Sequence, residues 1–257
     1  MLKLLNENDL CEIKRFCQSS IIGTRISSYA LAYGFDKDFL LFWGDKTENG
    51  FLTLIAKFDS CMSILATDKT DFDEAAEFID IIGADEIITD EATAKKLGFT
   101  DFVTKQGFRF DSDIRVDFAS ETPDEDDLRE IYKLICTAIP DSFINSRQAY
   151  LSFLSDFTYR ANRGYAKAVC IKADGKAVAC ALTSAQSDTS ALMSGIACSE
   201  EYRRYGYGKQ IVLSLTDKLI KDDKRVFVIA LNDSAQGFYK HIGFTECEKI
   251  AFIKRKV

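Results

Sequence analysis

Ile196-Ala-Cys-Ser-Glu-Glu-Tyr-Arg203-Arg-Tyr-Gly206-Tyr-Gly208-Lys-Gln-Ile211 runs from an apolar strand, through a loop holding two glycines, into an amphipathic helix. Behind it Ile211, Val212, Leu215 and Leu219 recur at helical spacing, so the helix extends over residues 209–221 with one buried stripe. A glycine-containing turn that opens a helix leaves several backbone N–H groups unpaired and aimed outward, with the positive end of the helix dipole behind them. Two glycines without Cβ let a pyrophosphate approach that backbone. The stretch is therefore a strand, an anion cradle and a helix in series. It is not a P-loop, because Gly208-Lys209 is followed by Gln210 rather than Ser or Thr and no glycine stands at 203. It is not a dinucleotide fingerprint either, since Ile211 occupies the place of a third glycine.

On both sides of this unit the chain alternates strands and helices. Downstream come the apolar run Val226-Phe-Val-Ile-Ala-Leu231, a short helix over 234–241 and a strand over 244–254. Upstream, three strand-like segments cover 166–172, 177–183 and 190–198, and Ala173-Asp-Gly-Lys176 is a hairpin turn. Two helices precede them. One is capped by Thr122 with Pro123 at its first position and shows Leu128, Ile131, Leu134 and Ile135 on one face; the other spans 147–161. A polar/apolar alternation over 111–118 predicts a strand before both. The second half is thus βααβββαβαβ, a mixed sheet with antiparallel hairpins and one or two parallel crossovers.

The first half follows the same order: helices over 7–17 and 26–33, strands over 39–44, 51–58 and 61–66, a helix over 71–82, a strand over 86–89 and a helix over 91–97. Lys95-Lys-Leu-Gly-Phe-Thr100 lines up with Lys240-His-Ile-Gly-Phe-Thr245, and both follow a strand and a short helix. Two copies of one α/β fold, divided as 1–112 and 113–257, account for this match.

Composition removes other chemistries. The single histidine, His241, excludes zinc sites built on two or more histidines and multi-histidine iron centres. No metal site is expected. The net charge of −7, with no basic stripe, argues against a nucleic-acid partner and points toward cationic ones. Eight scattered cysteines without a C-x-x-C pair read as core residues of a reducing compartment. The N-terminal residues show no signal-peptide apolar region, and no window approaches roughly 18 apolar residues, so a cytoplasmic chain with no membrane partner is expected, as monomer or homodimer.

Arg203-x-x-Gly206-x-Gly208, followed by Asn232-Asp-Ser-Ala235-Gln-Gly-Phe238-Tyr239-Lys-His-Ile-Gly243-Phe244, resembles the GNAT superfamily of acyl-CoA-dependent N-acyltransferases. That family's two best-known signatures occur here in its order, and the resemblance covers 114 to the C-terminus. It implies a mostly antiparallel mixed sheet flanked by helices, and acetyl-CoA as co-substrate. Backbone groups of Ile196, Ala197 and Cys198 would pair with the pantetheine arm. Amides of Arg203, Arg204, Tyr205, Gly206, Tyr207, Gly208 and Lys209 would hold the pyrophosphate. Asn232 would orient the pantetheine, and Tyr239, protonated at neutral pH, would donate to the departing thiolate. A neutral amine would attack the thioester directly, with a backbone N–H near Cys198 stabilising the oxyanion. Glu200 and Glu201 read better as solvated turn residues than as a base, and Cys198 better as a structural thiol than as a nucleophile.

In the first half the same alignment puts Ala94 opposite Tyr239 and Thr93 opposite Phe238. Ala66-Thr-Asp-Lys-Thr70 holds no glycine, and Asp71 and Asp73 repel a pyrophosphate. This half is expected to be a degenerate copy that binds no CoA and shapes an acceptor cleft. The chain is expected to acetylate a small or peptidic primary amine. The alternatives are a non-catalytic CoA-binding or interaction protein, or a transferase of a different acyl group.

Overall fold

The computed structural model describes residues 1–113, 120–139 and 145–255. In chain order the elements are β1 (Lys3–Leu4), α1 (Leu10–Phe16), α2 (Ile21–Tyr33), β2 (Leu40–Thr47), β3 (Gly50–Phe58), β4 (Cys61–Ala66), α3 (Phe72–Ile82), β5 (Glu86–Asp90), α4 (Glu91–Lys96) and β6 (Val103–Phe110). There follow α5 (Glu125–Ala138), α6 (Arg147–Ala161), β7 (Ala168–Ala173), β8 (Lys176–Gln186), β9 (Ser190–Cys198), α7 (Tyr207–Lys221), β10 (Arg225–Ile229), α8 (Asp233–His241) and β11 (Phe244–Lys254). Single 3-10 turns lie at Glu7–Asp9 and Glu200–Tyr202.

These elements form two compact units, and neither is one continuous stretch. Unit 1 comprises Met1–Phe108, Ile229–Phe238 and Glu246–Val257; unit 2 comprises Arg109–Val228 and Tyr239–Thr245. A single cut after residue 112 makes no provision for the two C-terminal segments grouped with unit 1.

In unit 1 the strands run in the order β1, β2, β3, β4, β5, β11, β6. β4 and β5 are parallel, whereas β11 lies antiparallel to β5 with Ile250 opposite Asp90. Trp43, Ile55, Met62, Ile64, Ile79, Ile87 and Ile253 form its core. Helix α2 begins at Ile21, five residues earlier than its apolar pattern suggests, because Ser20 caps it through Oγ to the Gly23 N–H (2.9 Å). β6 escaped the sequence reading because Thr104, Lys105, Gln106 and Gly107 interrupt its alternation. Of the strand expected at 111–118, residues 114–118 lie outside the described residues, and 111–113 are not in a strand.

In unit 2 the order is β10, β9, β8, β7, with β10 parallel to β9 and the other pairs antiparallel. Helix α5 packs on β8 and β9, burying Leu128, Ile131 and Ile135 against Cys170, Cys180, Leu182 and Ala197. Its cap is Asp124, not Thr122. Asp124 accepts from the Asp127 N–H (2.9 Å) and Asp127 from the Asp124 N–H (3.1 Å), a reciprocal box that places Pro123 outside the helix. The β7–β8 turn has positive φ at both Asp174 (50°) and Gly175 (76°), the tight hairpin that Asp-Gly encodes.

Candidate functional site

The pairing of β9 breaks off in two ways, and together they open one edge of the sheet. Parallel pairing with β10 stops at Met193 opposite Val228; beyond that point the Ala230 N–H donates instead to the Gln106 carbonyl (2.9 Å). Among the described residues, 194–198 are then paired only to β8. There the register shifts, because Cys180 faces Ala197 but Leu182 faces Ser194, so two residues, Gly195 and Ile196, oppose Ala181. That is a bulge, and Gly195 takes it at φ +54°. A Cβ at Gly195 would lie 2.7 Å from Leu182 Cδ1 and 3.0 Å from Ile135 Cδ1.

Strand alternation then decides which backbone groups face the open edge. The Ser199 N–H donates to the Val178 carbonyl (2.8 Å), so Cys198, one residue earlier, turns its N–H and C=O away from β8. Its carbonyl is met by Arg203 Nε at 3.4 Å. Ala197 points its backbone at β8 instead, and its side chain is buried in the core. Of the three residues expected to present their backbone, Cys198 faces outward and Ala197 does not. Gly195 was missed; a glycine inside an apolar strand was the available signal.

After the 3-10 turn, Arg204 (φ +66°) and Gly206 (φ +86°) take left-handed conformations, and Gly206 is the N-cap of α7. Having no side chain, it caps nothing. The Gln210 N–H returns to the Gly206 carbonyl (3.0 Å), but the amides of residues 204–209 have no hydrogen-bond partner among the described residues. No acidic residue stands in the first turn of α7, and Arg203, Arg204 and Lys209 are exposed around it. Backbone donors, the helix dipole and three cations all favour an anion here. The donor set fits the phosphates of CoA. Helix α7 starts two residues before the expected 209, so Tyr207 and Gly208 are its first helical residues.

Unit 1 supplies an internal control. Its β4–β5 pairing also stops early, at Ser63 opposite Ile88, but Thr89 Oγ1 donates to the Ile64 carbonyl (2.8 Å) across the gap. The β3–β4 register runs from Phe58–Cys61 to Thr53–Ala66 without a bulge. At α3, Asp71 caps the Glu74 N–H (3.0 Å), and Asp73 and Glu74 add negative charge. The preceding turn is closed on itself by Thr70, whose Oγ1 accepts from the Thr67 N–H (3.1 Å). Carboxylates occupy the ground that bare amides hold in unit 2.

Asn232 caps α8, accepting from the Ala235 N–H through Oδ1 (2.9 Å). Tyr239 lies two turns farther along, only 7% exposed, with its ring 5.6 Å from Phe244, which packs in turn 5.0 Å from Phe110. Burial pushes the Tyr239 hydroxyl well above the ordinary phenol range, so it stays protonated at any physiological pH. The Gly243-Phe244 pair is required locally: Gly243 has φ +101°, and a Cβ there would come 2.8 Å from Ser112 Oγ. Burial also raises the Cys198 thiol, against an opposing pull from Arg203, which suits a structural thiol. Glu200, Glu201 and His241 are exposed. Among the described residues no helix is long and apolar enough to cross a membrane.

Residues 128–244 match the model of the acetyltransferase (GNAT) family. No curated protein matches the chain. Solved structures of similar fold include a GNAT-family acetyltransferase from Colwellia psychrerythraea, at 13% identity and TM-score 0.62 over 100% of both chains. A tandem GNAT protein from the clavulanic acid biosynthesis pathway aligns at 13% identity and TM-score 0.63 over 99% of this chain and 98% of that one. A GCN5-related N-acetyltransferase from Sphaerobacter thermophilus does so at 11% and 0.63, over 99% and 95%. At such identities the likeness is one of fold.

Proposed function

We propose, from the match of residues 128–244 to the acetyltransferase (GNAT) family model, that the chain is an N-acetyltransferase moving the acetyl group of acetyl-CoA to a primary amine of a small molecule or peptide. The observation that carries this reading is the arc of unpartnered amides at 204–209, capped by a residue with no side chain. These amides hold the pyrophosphate, and the open edge of β9, at Ile196 and Cys198, holds the pantetheine arm as an added strand would. Ala197 supports that edge through its pairing to Cys180 rather than touching the ligand.

The Cys198 N–H, directed to the open side, stabilises the oxyanion as the neutral amine attacks the thioester carbonyl. As the carbon–sulfur bond breaks, Tyr239 gives its proton to the leaving thiolate; the new amide's extra proton passes to solvent, and a proton from solvent restores the phenol. Asn232 fixes the start of the helix that carries Tyr239. Unit 1 is a degenerate copy of the fold that binds no CoA, because Asp71 and Thr89 fill the positions a ligand would need. Net acidity favours a cationic acceptor.

A second reading, CoA binding without turnover, is favoured by one observation, the deep burial of Tyr239. Thiol release from acetyl-CoA, measured over a panel of amines that includes polyamines and basic peptides, separates the two. Turnover with any of them establishes the transferase. Tight CoA binding with no acceptor-dependent release across the panel establishes the binding protein. Acyl-CoAs of increasing chain length in the same assay test the acetyl preference.

A further inference from the structure

Two buried cysteines that the acyl-transfer chemistry does not use face one another in unit 2. Cys170 on β7 and Cys180 on β8 are direct cross-strand partners, both wholly buried and both in the core beneath α5. Opposed residues of an antiparallel pair project to the same face. The backbone of Cys170 is engaged on its other side, donating to the Glu121 carbonyl (3.0 Å) and accepting from the Glu121 N–H (2.9 Å). Three residues away, the Thr183 N–H donates to the Lys167 carbonyl (2.9 Å), which fixes the same alternation. Cys170 and Cys180 are therefore a non-hydrogen-bonded pair, the kind whose Cα atoms approach to about 4.5 Å. A disulfide accepts Cα separations from about 4.4 to 6.8 Å.

We propose that Cys170 and Cys180 are a redox-active pair that closes to a cross-strand disulfide under peroxide and thereby weakens acetyl-CoA binding. One thiolate attacks hydrogen peroxide, giving a sulfenic acid and hydroxide; the second thiolate displaces hydroxide from that sulfur and forms the S–S bond, and the protons that the two thiols released on ionising turn both hydroxides into water. Two sulfurs are oxidised and one peroxide is reduced. β7 is the last strand of its run, and among the described residues its outer side carries only the bridge to Glu121, so its opening admits a small oxidant. Burial pushes the thiols up to about 11 (Cys170) and about 12 (Cys180), which makes the reaction slow at neutral pH and about tenfold faster per pH unit toward 9. Closure removes the Cys180 thiol from its contact with the Gly195 carbonyl (3.4 Å), the bulge residue that bends β9. This last step rests on the reading of β9 as the CoA strand.

The full chain is treated with hydrogen peroxide at pH 8.5, alkylated and digested with trypsin, which cuts after Lys167, Lys172, Lys176 and Arg203. The expected product joins residues 168–172 to residues 177–203 at about 2 Da below the sum of the two peptides and is separated again by dithiothreitol. Cys170→Ala and Cys180→Ala each abolish it; Cys198→Ala, which alters the only other thiol in the longer peptide, does not. Complete alkylation of Cys170 and Cys180 under conditions that oxidise the exposed Cys11 and Cys247 overturns the pair, as does a crosslink through Cys198. Acetyl-CoA affinity of the crosslinked protein is expected to be about two- to tenfold weaker than that of the reduced protein. A crosslink with unchanged affinity overturns the coupling. No binding even by the reduced protein marks the failure of the CoA reading instead.

Discussion

Gly195 and Gly206 both take positive φ, yet replacing each by alanine should do different damage. At Gly206 a Cβ meets nothing nearer than Gln210 Nε2 at 3.8 Å, so the cost is confined to the backbone, about 1–2 kcal/mol for an L-residue in the left-handed region. At Gly195 the same backbone cost applies, and the Cβ also lands 2.7 Å from Leu182 Cδ1 and 3.0 Å from Ile135 Cδ1. Leu182 and Ile135 are 3% and 1% exposed, so they have little room to retreat, and overpacking of this kind adds about 1–3 kcal/mol. The Gly195→Ala variant should then lose about 2–5 kcal/mol of stability and Gly206→Ala about 1–2. Urea denaturation followed by circular dichroism reads both, provided the slope with denaturant is unchanged. Acetyl-CoA affinity should fall in both variants, in Gly206→Ala without a large loss of fold. Equal stability of the two variants would refute the bulge geometry, and wild-type CoA affinity in Gly206→Ala would refute the cradle.

Other consequences are equally open to measurement. Tyr239→Phe should lower kcat by about a hundredfold with the acetyl-CoA Kd nearly unchanged, and unchanged turnover would remove the phenol from the mechanism. Glu248 accepts from the Ile21 N–H (2.5 Å), and burial, with Asp90 nearby, raises its carboxyl to about 7 from 4.5. The folded state thus holds the proton more tightly, so the contribution of Glu248 to stability is fully present below pH 4.5 and is lost as pH rises through 7. Glu248→Gln should flatten that slope and raise stability at pH 8, as read from denaturation midpoints across pH 4.5–8. Calorimetric titration should give one acetyl-CoA per chain; a second site would contradict the filled cradle of unit 1.

The fold was legible where pattern and local chemistry agree. β4, β9, β11 and α6 have the bounds that their apolar patterns predict, and Asp174-Gly175 forms the turn its residues require. The glycine turn and the helix it opens were legible too, because Gly206 and Gly208 are followed by an apolar stripe at helical spacing. What stayed hidden depends on partners distant in sequence. β6 is half polar and reads as a loop until β11, more than a hundred residues later, lies beside it. The bulge at Gly195 is a property of the β8–β9 register, and the outward turn of Cys198 follows from Ser199 pairing with Val178. Thr89 gave no sign that its hydroxyl bridges β4 and β5. Asp124 displaced Thr122 as the cap because Asp127 answers it three residues on, which composition alone does not rank.

The central claim, that acetyl-CoA is held by the bare amides opening α7, is tested most directly by backbone amide NMR of the full chain during acetyl-CoA titration. Saturable shifts at residues 204–209, with Gly206 and Gly208 among the largest and residues 71–74 unmoved, are the predicted result. Saturable binding that leaves 204–209 unmoved would contradict it.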